Sequence, residues 1–346
     1  MKRINKKTIL RCAMAVLIVA IGILAYKAYQ FDQPGEVPPS QAARDWEASV
    51  TSPDIQREHV LIPSGDIKLE ADLLIPTGGK EKKPAVIFSQ GSGPNTYQDY
   101  LGTKIPQKYV QDVFLPRDMA VLYVNKRGMG ESEGNWKHQD FQGRADDLYA
   151  AVQFLKEHKS MDPSNLGVIG HSQGGWIVTL TASQHEDVAF FISLAGPTTS
   201  VWEQSEDADE SRFRCQGFTG EEFKKKVAGA VKQFRLAASI GKFLPVGELG
   251  FYPRIIDYDP RDVLVKIKSP GLFVFGDKDA LVPADQNMER FNQIFNNDPP
   301  DNLKTVVIPN LTHLLRITDD LCEQLSQPFS DELVQALQDW LTEKGY

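Results

Sequence analysis

Leu166-Gly167-Val168-Ile169-Gly170-His171-Ser172-Gln173-Gly174-Gly175-Trp176-Ile177 is the stretch whose reading decides the fold. A short apolar run enters Gly-x-Ser-x-Gly, and a helical pattern (Trp176, Ile177, Leu180) leaves it. Strand, sharp turn and helix in that order form a nucleophile elbow. The serine occupies a strained turn, and side chains at Gly170 or Gly174 would collide with the neighbouring strand and helix. Such a turn exposes the Ser172 hydroxyl and aims a helix N-terminus at charge that develops beside it.

Outward from the elbow, apolar runs alternate with helical patterns. Strands are expected at 59–63, 69–74, 85–89, 120–125, 166–170, 189–194, 272–275 and 305–308. The later runs are continuous in Val, Ile, Phe and Leu, as befits strands buried on both faces. The fold class that follows is α/β: a mostly parallel eight-stranded sheet with helices on both faces. Leu148, Ala151, Val152 and Leu155 share one helical face; Leu333, Val334, Leu337, Trp340 and Leu341 share another, with Ser330 placed as N-cap. Asp146 and Asp147 are expected on a solvated face, as are Lys224, Lys225 and Lys226. Residues from about 198 to 262 break the alternation and read as a helical cap. There Thr219 and Glu222 have capping-box spacing. Phe213, Phe218, Phe223, Phe234 and Phe243 supply bulky surface to it, some for packing and a subset for an acyl pocket.

A serine nucleophile needs a base, and the base needs an orienting carboxylate. The run Leu272-Phe273-Val274-Phe275-Gly276 ends in Asp277-Lys278-Asp279, placing two carboxylates at the carboxyl end of a strand. His313 is the only histidine further on, in a loop after Val306-Val307-Ile308. The order serine, acid, histidine differs from the orders of chymotrypsin and subtilisin. One oxyanion donor is expected from the backbone N–H of Gln173. The second is expected from Ser92, in the glycine-flanked loop Gln90-Gly91-Ser92-Gly93-Pro94. His171 is expected to pack beside the site without joining it.

Composition narrows the rest. Among 346 residues, 41% are hydrophobic and 24% charged, an ordinary globular balance. The net charge of -8 offers nothing to a nucleic acid. Gly128-Met129-Gly130 lacks dinucleotide-loop spacing, because Gly134 falls one residue late. No cysteine or histidine spacing resembles a zinc site, and no cofactor or metal is called for. Whether Cys215 and Cys322 pair is open at this level.

The N-terminus carries Lys2, Arg3, Lys6, Lys7 and Arg11 before an uncharged apolar stretch at 12–26. Residues 1–30 are expected to form an uncleaved signal anchor with its positive flank inside, leaving the remainder on the extracytoplasmic side, periplasmic in a Gram-negative cell. A cleaved, secreted form is the alternative, though bulky Tyr26 spoils the spacing of a cleavage site. Residues 31–55, with Pro34, Gly35, Pro38 and Pro39, read as a linker to a domain at 56–346.

From about residue 56 to the end, the chain resembles the α/β-hydrolase superfamily. It is similar in particular to esterase and dienelactone-hydrolase-like members related to the prolyl-oligopeptidase catalytic domain. The resemblance rests on Gln90 to Pro94, on Asn125-Lys126-Arg127-Gly128-Met129-Gly130-Glu131-Ser132, on the elbow, on Gly276 to Pro283 and on the His313 loop. Relatives usually have His at the position of Gln90 and Asp at that of Asn125. Family placement of the acid three residues beyond the strand's glycine implies Asp279, leaving Asp277 to shape the turn. The resemblance thus implies Ser172, His313 and Asp279 as the catalytic residues, acting on a small acyl substrate, with a carboxylic ester as the leading class. A thioester or a short peptide needs the same machinery. A rival of another class is a membrane-tethered binding module on a lapsed hydrolase fold.

Overall fold

The computed structural model describes residues 50, 52–100, 104–244, 247–323 and 328–346. The expected anchor and most of the expected linker lie outside the described residues. Among the described residues no helix is long and apolar enough to cross a membrane.

The apolar runs lie side by side in one sheet. Its strands are β1 (Ile55–Ser64), β2 (Ile67–Pro76), β3 (Lys83–Ser89), β4 (Ala120–Val124), β5 (Met161–His171), β6 (Phe190–Leu194), β7 (Gly271–Gly276) and β8 (Leu303–Ile308). The order is β1-β2-β4-β3-β5-β6-β7-β8. β2 is antiparallel to both β1 and β4, and every later pairing is parallel. Every expected strand is present, and the largest differences are that β5 starts five residues earlier and β1 four.

Side chains of successive strand residues point to opposite faces, so a strand buried on both sides must be apolar throughout. Along β3, Ala85 and Ile87 pack on one face with α1 (Phe141–Glu157) and α2 (Gln173–Gln184), while Val86 and Phe88 enter the other. Phe273 and Phe275 of β7 join the first face, Leu272 and Val274 the second. On that second face Leu333, Leu337, Trp340 and Leu341 of the C-terminal helix are wholly buried, with Ser330 capping it by accepting from the Leu333 N–H at 3.0 Å. Each of those side chains contributes about 2 kcal/mol of burial.

After β6 the chain leaves the sheet for the cap: α3 (Val201–Cys215), α4 (Gly220–Phe243) and α5 (Gly247–Ile255). A capping box closes at Ser200 and Glu203, at the start of α3. The one expected at Thr219 and Glu222 does not form: Thr219 is the N-cap of α4, but its side chain makes no cap bond. Gly220, the first helical residue, has φ +59, a left-handed entrance that takes the Thr219 hydroxyl off the N–H of Glu222. Lys224, Lys225 and Lys226 are exposed. Cys215, at the end of α3, is disulfide-bonded to Cys322, 107 residues away in the segment that follows His313. α6 (Ala284–Ile294) and α7 (Asp331–Glu343) complete the helical layers.

Candidate active site

β5 lies in the middle of the parallel sheet, and its carboxyl end delivers Ser172. The serine has φ 56 and ψ -125, a strained conformation for a residue with a side chain. Close approach of three backbones explains why. A Cβ on Gly170 would stand 2.2 Å from the carbonyl of Gly174, and one on Gly174 2.3 Å from the carbonyl of Ser89. Only glycine permits the turn to sit this close to β3. α2 starts immediately after Ser172, so its unpaired N–H groups surround the hydroxyl side of the turn.

β7 and the loop after β8 bring two further groups to the serine. His313 Nε2 lies 2.9 Å from Ser172 Oγ, and His313 Nδ1 lies 2.8 Å from Asp279 Oδ2. A carboxylate only accepts, so Nδ1 carries the imidazole proton and Nε2 is free to accept from the hydroxyl. Asp279 is 1% exposed, and its other oxygen accepts from the N–H groups of Leu281 (2.8 Å) and Val282 (2.7 Å). The turn-shaping role expected of Asp277 therefore belongs to Asp279 as well. The Asp277 carboxylate is partly exposed, 3.8 Å from the Lys278 ammonium.

His171 is buried and stands apart from this line. It donates from Nε2 to the carbonyl of His313 at 2.8 Å and accepts at Nδ1 from the Tyr100 hydroxyl. Burial, and then the neighbouring His313, push its pKa down to about 3, so it stays neutral. Burial likewise pushes the Tyr100 hydroxyl up, opposed by the backbone N–H of Gly91 that it accepts. One neutral relay thus ties the Gly91 loop to the His313 loop.

Ser92 and Gln173, the expected oxyanion donors, both face a cavity of about 710 Å³ between the elbow and the cap. Gly91 rather than Ser92 touches the elbow serine, since a Cβ there would meet that of Ser172 at 3.2 Å. Trp136, Trp176, Phe234, Phe251 and Tyr252 form the apolar walls, and Gln204, Asp209, Arg212 and Gln233 the polar end. Of the five phenylalanines expected to furnish the cap, only Phe234 lines this cavity, and Phe251, a sixth, lines it as well. Phe213 packs edge-on against Phe218, Phe223 lies under the Arg214 guanidinium, and Phe243 is 90% exposed.

Several contributors were invisible in the sequence pattern. Asp147 is buried, not solvated: it accepts from Ser64 Oγ (2.6 Å), from Gln139 and, through both oxygens, from Arg127. Four donor groups on three residues, Ser64, Gln139 and Arg127, make its burial tolerable. Glu70 of β2, also buried, accepts from the Glu131 N–H and from Asn125 Nδ2, fixing the loop that follows β4. Lys126 and Arg144 lie behind the Gly91 loop. Among the described residues no cluster of His, Cys, Asp or Glu stands ready to hold a metal ion.

Comparison with known proteins agrees with this geometry. Residues 64–233 match the family model described as X-Pro dipeptidyl-peptidase (S15 family), and residues 149–318 that of the BAAT / acyl-CoA thioester hydrolase C terminal. The acylamino-acid-releasing enzyme of Sus scrofa is 24% identical over 280 residues, 78% of this chain and 34% of that enzyme. The chain therefore spans about a third of the length of that relative. Esterase EstD of Thermotoga maritima is 24% identical over 252 residues, covering 71% of this chain and 58% of the esterase. In three dimensions an esterase of Pyrococcus furiosus superposes with a TM-score of 0.59 at 17% identity, over 91% of this chain and 98% of that one. Sheet order, elbow and these matches lead to one assignment: the chain is an enzyme of the α/β-hydrolase type, with that fold and with similarity to the serine hydrolases built on it.

Proposed function

We propose that the protein hydrolyses carboxylic esters through an acyl-enzyme on Ser172. The observation that carries this reading is the hydrogen-bonded line from Asp279 through His313 to Ser172, at 2.8 and 2.9 Å, ending on a strained serine at a helix N-terminus. Ser172 Oγ attacks the acyl carbon while His313 Nε2 takes its proton. The N–H groups of Gln173 and Ser92 receive the oxyanion. Collapse expels the alcohol, which takes the proton from His313, and water repeats the sequence to release the acid and free Ser172. Asp279 holds the imidazole tautomer throughout and stays ionised.

An ester is favoured over a peptide by the cavity. Its walls are aromatic, and its one acid–base pair, Asp209 with Arg212 at 2.6 Å, is already matched internally. EstD and the Pyrococcus enzyme, both esterases, add support. The Cys215–Cys322 bond supports an oxidising compartment, in keeping with an N-terminal anchor that leaves the domain outside the cytoplasm.

Fluorophosphonate labelling of the full chain tests the reading, followed by turnover on matched aryl esters, acyl thioesters and acyl-aminoacyl anilides. Ser172 should carry the adduct, Ser172→Ala should neither label nor turn over, and esters should show the highest kcat/KM. An adduct elsewhere, or no adduct at all, ends the reading; a preference for thioesters or anilides moves the substrate class and keeps the nucleophile.

A further inference from the structure

The reaction scheme leaves unused a pair of buried cations behind the loop that carries Ser92. Lys126, two residues past β4, is 9% exposed, and its ammonium donates to the carbonyl of Gly91 at 3.1 Å and to that of Gly93. Arg144, in the first turns of α1, is 8% exposed. It donates to the carbonyl of Gln90 at 2.8 Å and to the side-chain oxygen of Gln173. The hydrogen bonds that the two cations donate end on carbonyl oxygens, and the Asp147 carboxylate acts on Arg144 only through space.

Those carbonyls fix the direction of the opposing N–H groups. No peptide bond among the described residues is cis. In a trans unit the C=O and the next N–H point opposite ways. With the Gly91 carbonyl turned back onto Lys126, the N–H of Ser92 is turned forward, towards the cavity that Ser92 and Gln173 line. With the Gln90 carbonyl turned onto Arg144, the N–H of Gly91 is turned to the Tyr100 hydroxyl, which it meets. Gly93 has φ +89, so without these anchors the loop is free to rotate its peptides.

Charge works in the same sense. Burying a cation among neutral dipoles is costly, and burial pushes the Lys126 ammonium well below the usual lysine range, with the Arg144 charge adding to it. The same burial takes Arg144 down to about 10. An anion forming one peptide unit away from Lys126 relieves that situation, and only the tetrahedral intermediate supplies one.

We propose that Lys126, braced by Arg144, is a positioning residue for the oxyanion hole: it sets the Gly91–Ser92 peptide and stabilises the oxyanion through it. The inference rests on the ester-hydrolysis reading of Ser172. It is tested in the full chain with Lys126→Met, using fluorophosphonate to count active sites. Per titrated site, kcat on an aryl ester should fall about a hundredfold, the usual scale for loss of an oxyanion donor, with KM within about twofold. A boronic acid that forms a tetrahedral adduct on the serine should weaken by the same factor. A ketone analogue too hindered to be attacked should bind as before. Lys126→Arg should recover part of the loss. Should Lys126→Met fail to fold, Arg144→Met is read the same way, with a loss of about tenfold. Turnover per site within about threefold of wild type, or a loss of kcat without weaker boronate binding, overturns the positioning role. A wild-type protein that neither labels at Ser172 nor cleaves esters removes the underlying reading instead.

Discussion

His171 donates to the main-chain carbonyl of His313 at 2.8 Å, so the residue before the nucleophile holds up the residue that faces it. This bond requires neutral or charged imidazole N–H at Nε2, while the Tyr100 hydroxyl requires a free lone pair at Nδ1. Only the neutral ring satisfies both.

A pH effect on stability follows. The folded-state pKa of His171 is pushed down to about 3 from 6.5, so between those values the unfolded chain binds the extra proton. Its contribution is complete above about 6.5 and is lost as pH falls, by about 1.4 kcal/mol per unit. Urea midpoints at pH 7.5, 6 and 5 should therefore drop, by about 2 kcal/mol at pH 5 from this group. His171→Gln should flatten that part of the slope. An identical slope in the variant would falsify the assignment.

Asp279→Asn should leave the fold intact and strand His313 in the wrong tautomer, lowering kcat by up to about ten-thousandfold. Asp277→Asn removes only a partly exposed contact with Lys278 and should retain turnover within about threefold. Initial rates per titrated active site make the comparison; the reverse ranking moves the acid to Asp277.

Reduction of the Cys215–Cys322 bond frees a loop of 107 residues in the unfolded chain and unties the cap from the segment after His313. The chain-entropy model gives a loss of about 4 to 5 kcal/mol for a loop of this length. Calorimetry with a phosphine reductant should show a lower Tm, matched by Cys215→Ser/Cys322→Ser without reductant. An unchanged Tm refutes a stabilising bond.

Phe234 meets Trp202 and Tyr252 edge-on and forms part of the cavity wall. Phe234→Ala should raise KM for esters of bulky aromatic acids about 5- to 30-fold, about 1 to 2 kcal/mol of lost contact. Acetyl esters, too short to reach it, should keep their kcat/KM within about twofold. Equal losses on both classes indicate damage to the cap rather than to a subsite.

Gly174→Ala sets helix propensity against sterics. Alanine suits α2, but its Cβ would stand 2.3 Å from the Ser89 carbonyl, a backbone atom that cannot rotate aside. The variant should lose 2 kcal/mol or more, about the scale of an overpacked core, and label slowly with fluorophosphonate. A stabilised, fully reactive variant would show that the elbow has room to spare.

The sequence by itself determined the sheet and the elbow. Continuous apolar runs such as Leu272 to Phe275 suit only strands covered on both faces. The stripe of Leu333, Leu337, Trp340 and Leu341 suits only a helix with one buried side. Gly170 and Gly174 bracket Ser172 because three backbones approach there, a requirement written into three alternate positions. These are short-range constraints, and a chain displays them as spacing. The tertiary structure alone decided where charge is buried and what the cap encloses. Asp147 has the sequence context of a solvated helix residue, yet Ser64, Arg127 and Gln139 converge on it. Nothing in the sequence marks Lys126 and Arg144 as buried, and only the fold sets the carbonyls of Gln90, Gly91 and Gly93 against them. Cys215 finds Cys322 across 107 residues, and Trp136 meets Phe251 from a different segment. A buried ion is stable only when partners from distant parts of the chain satisfy it, and no local pattern records how distant parts meet.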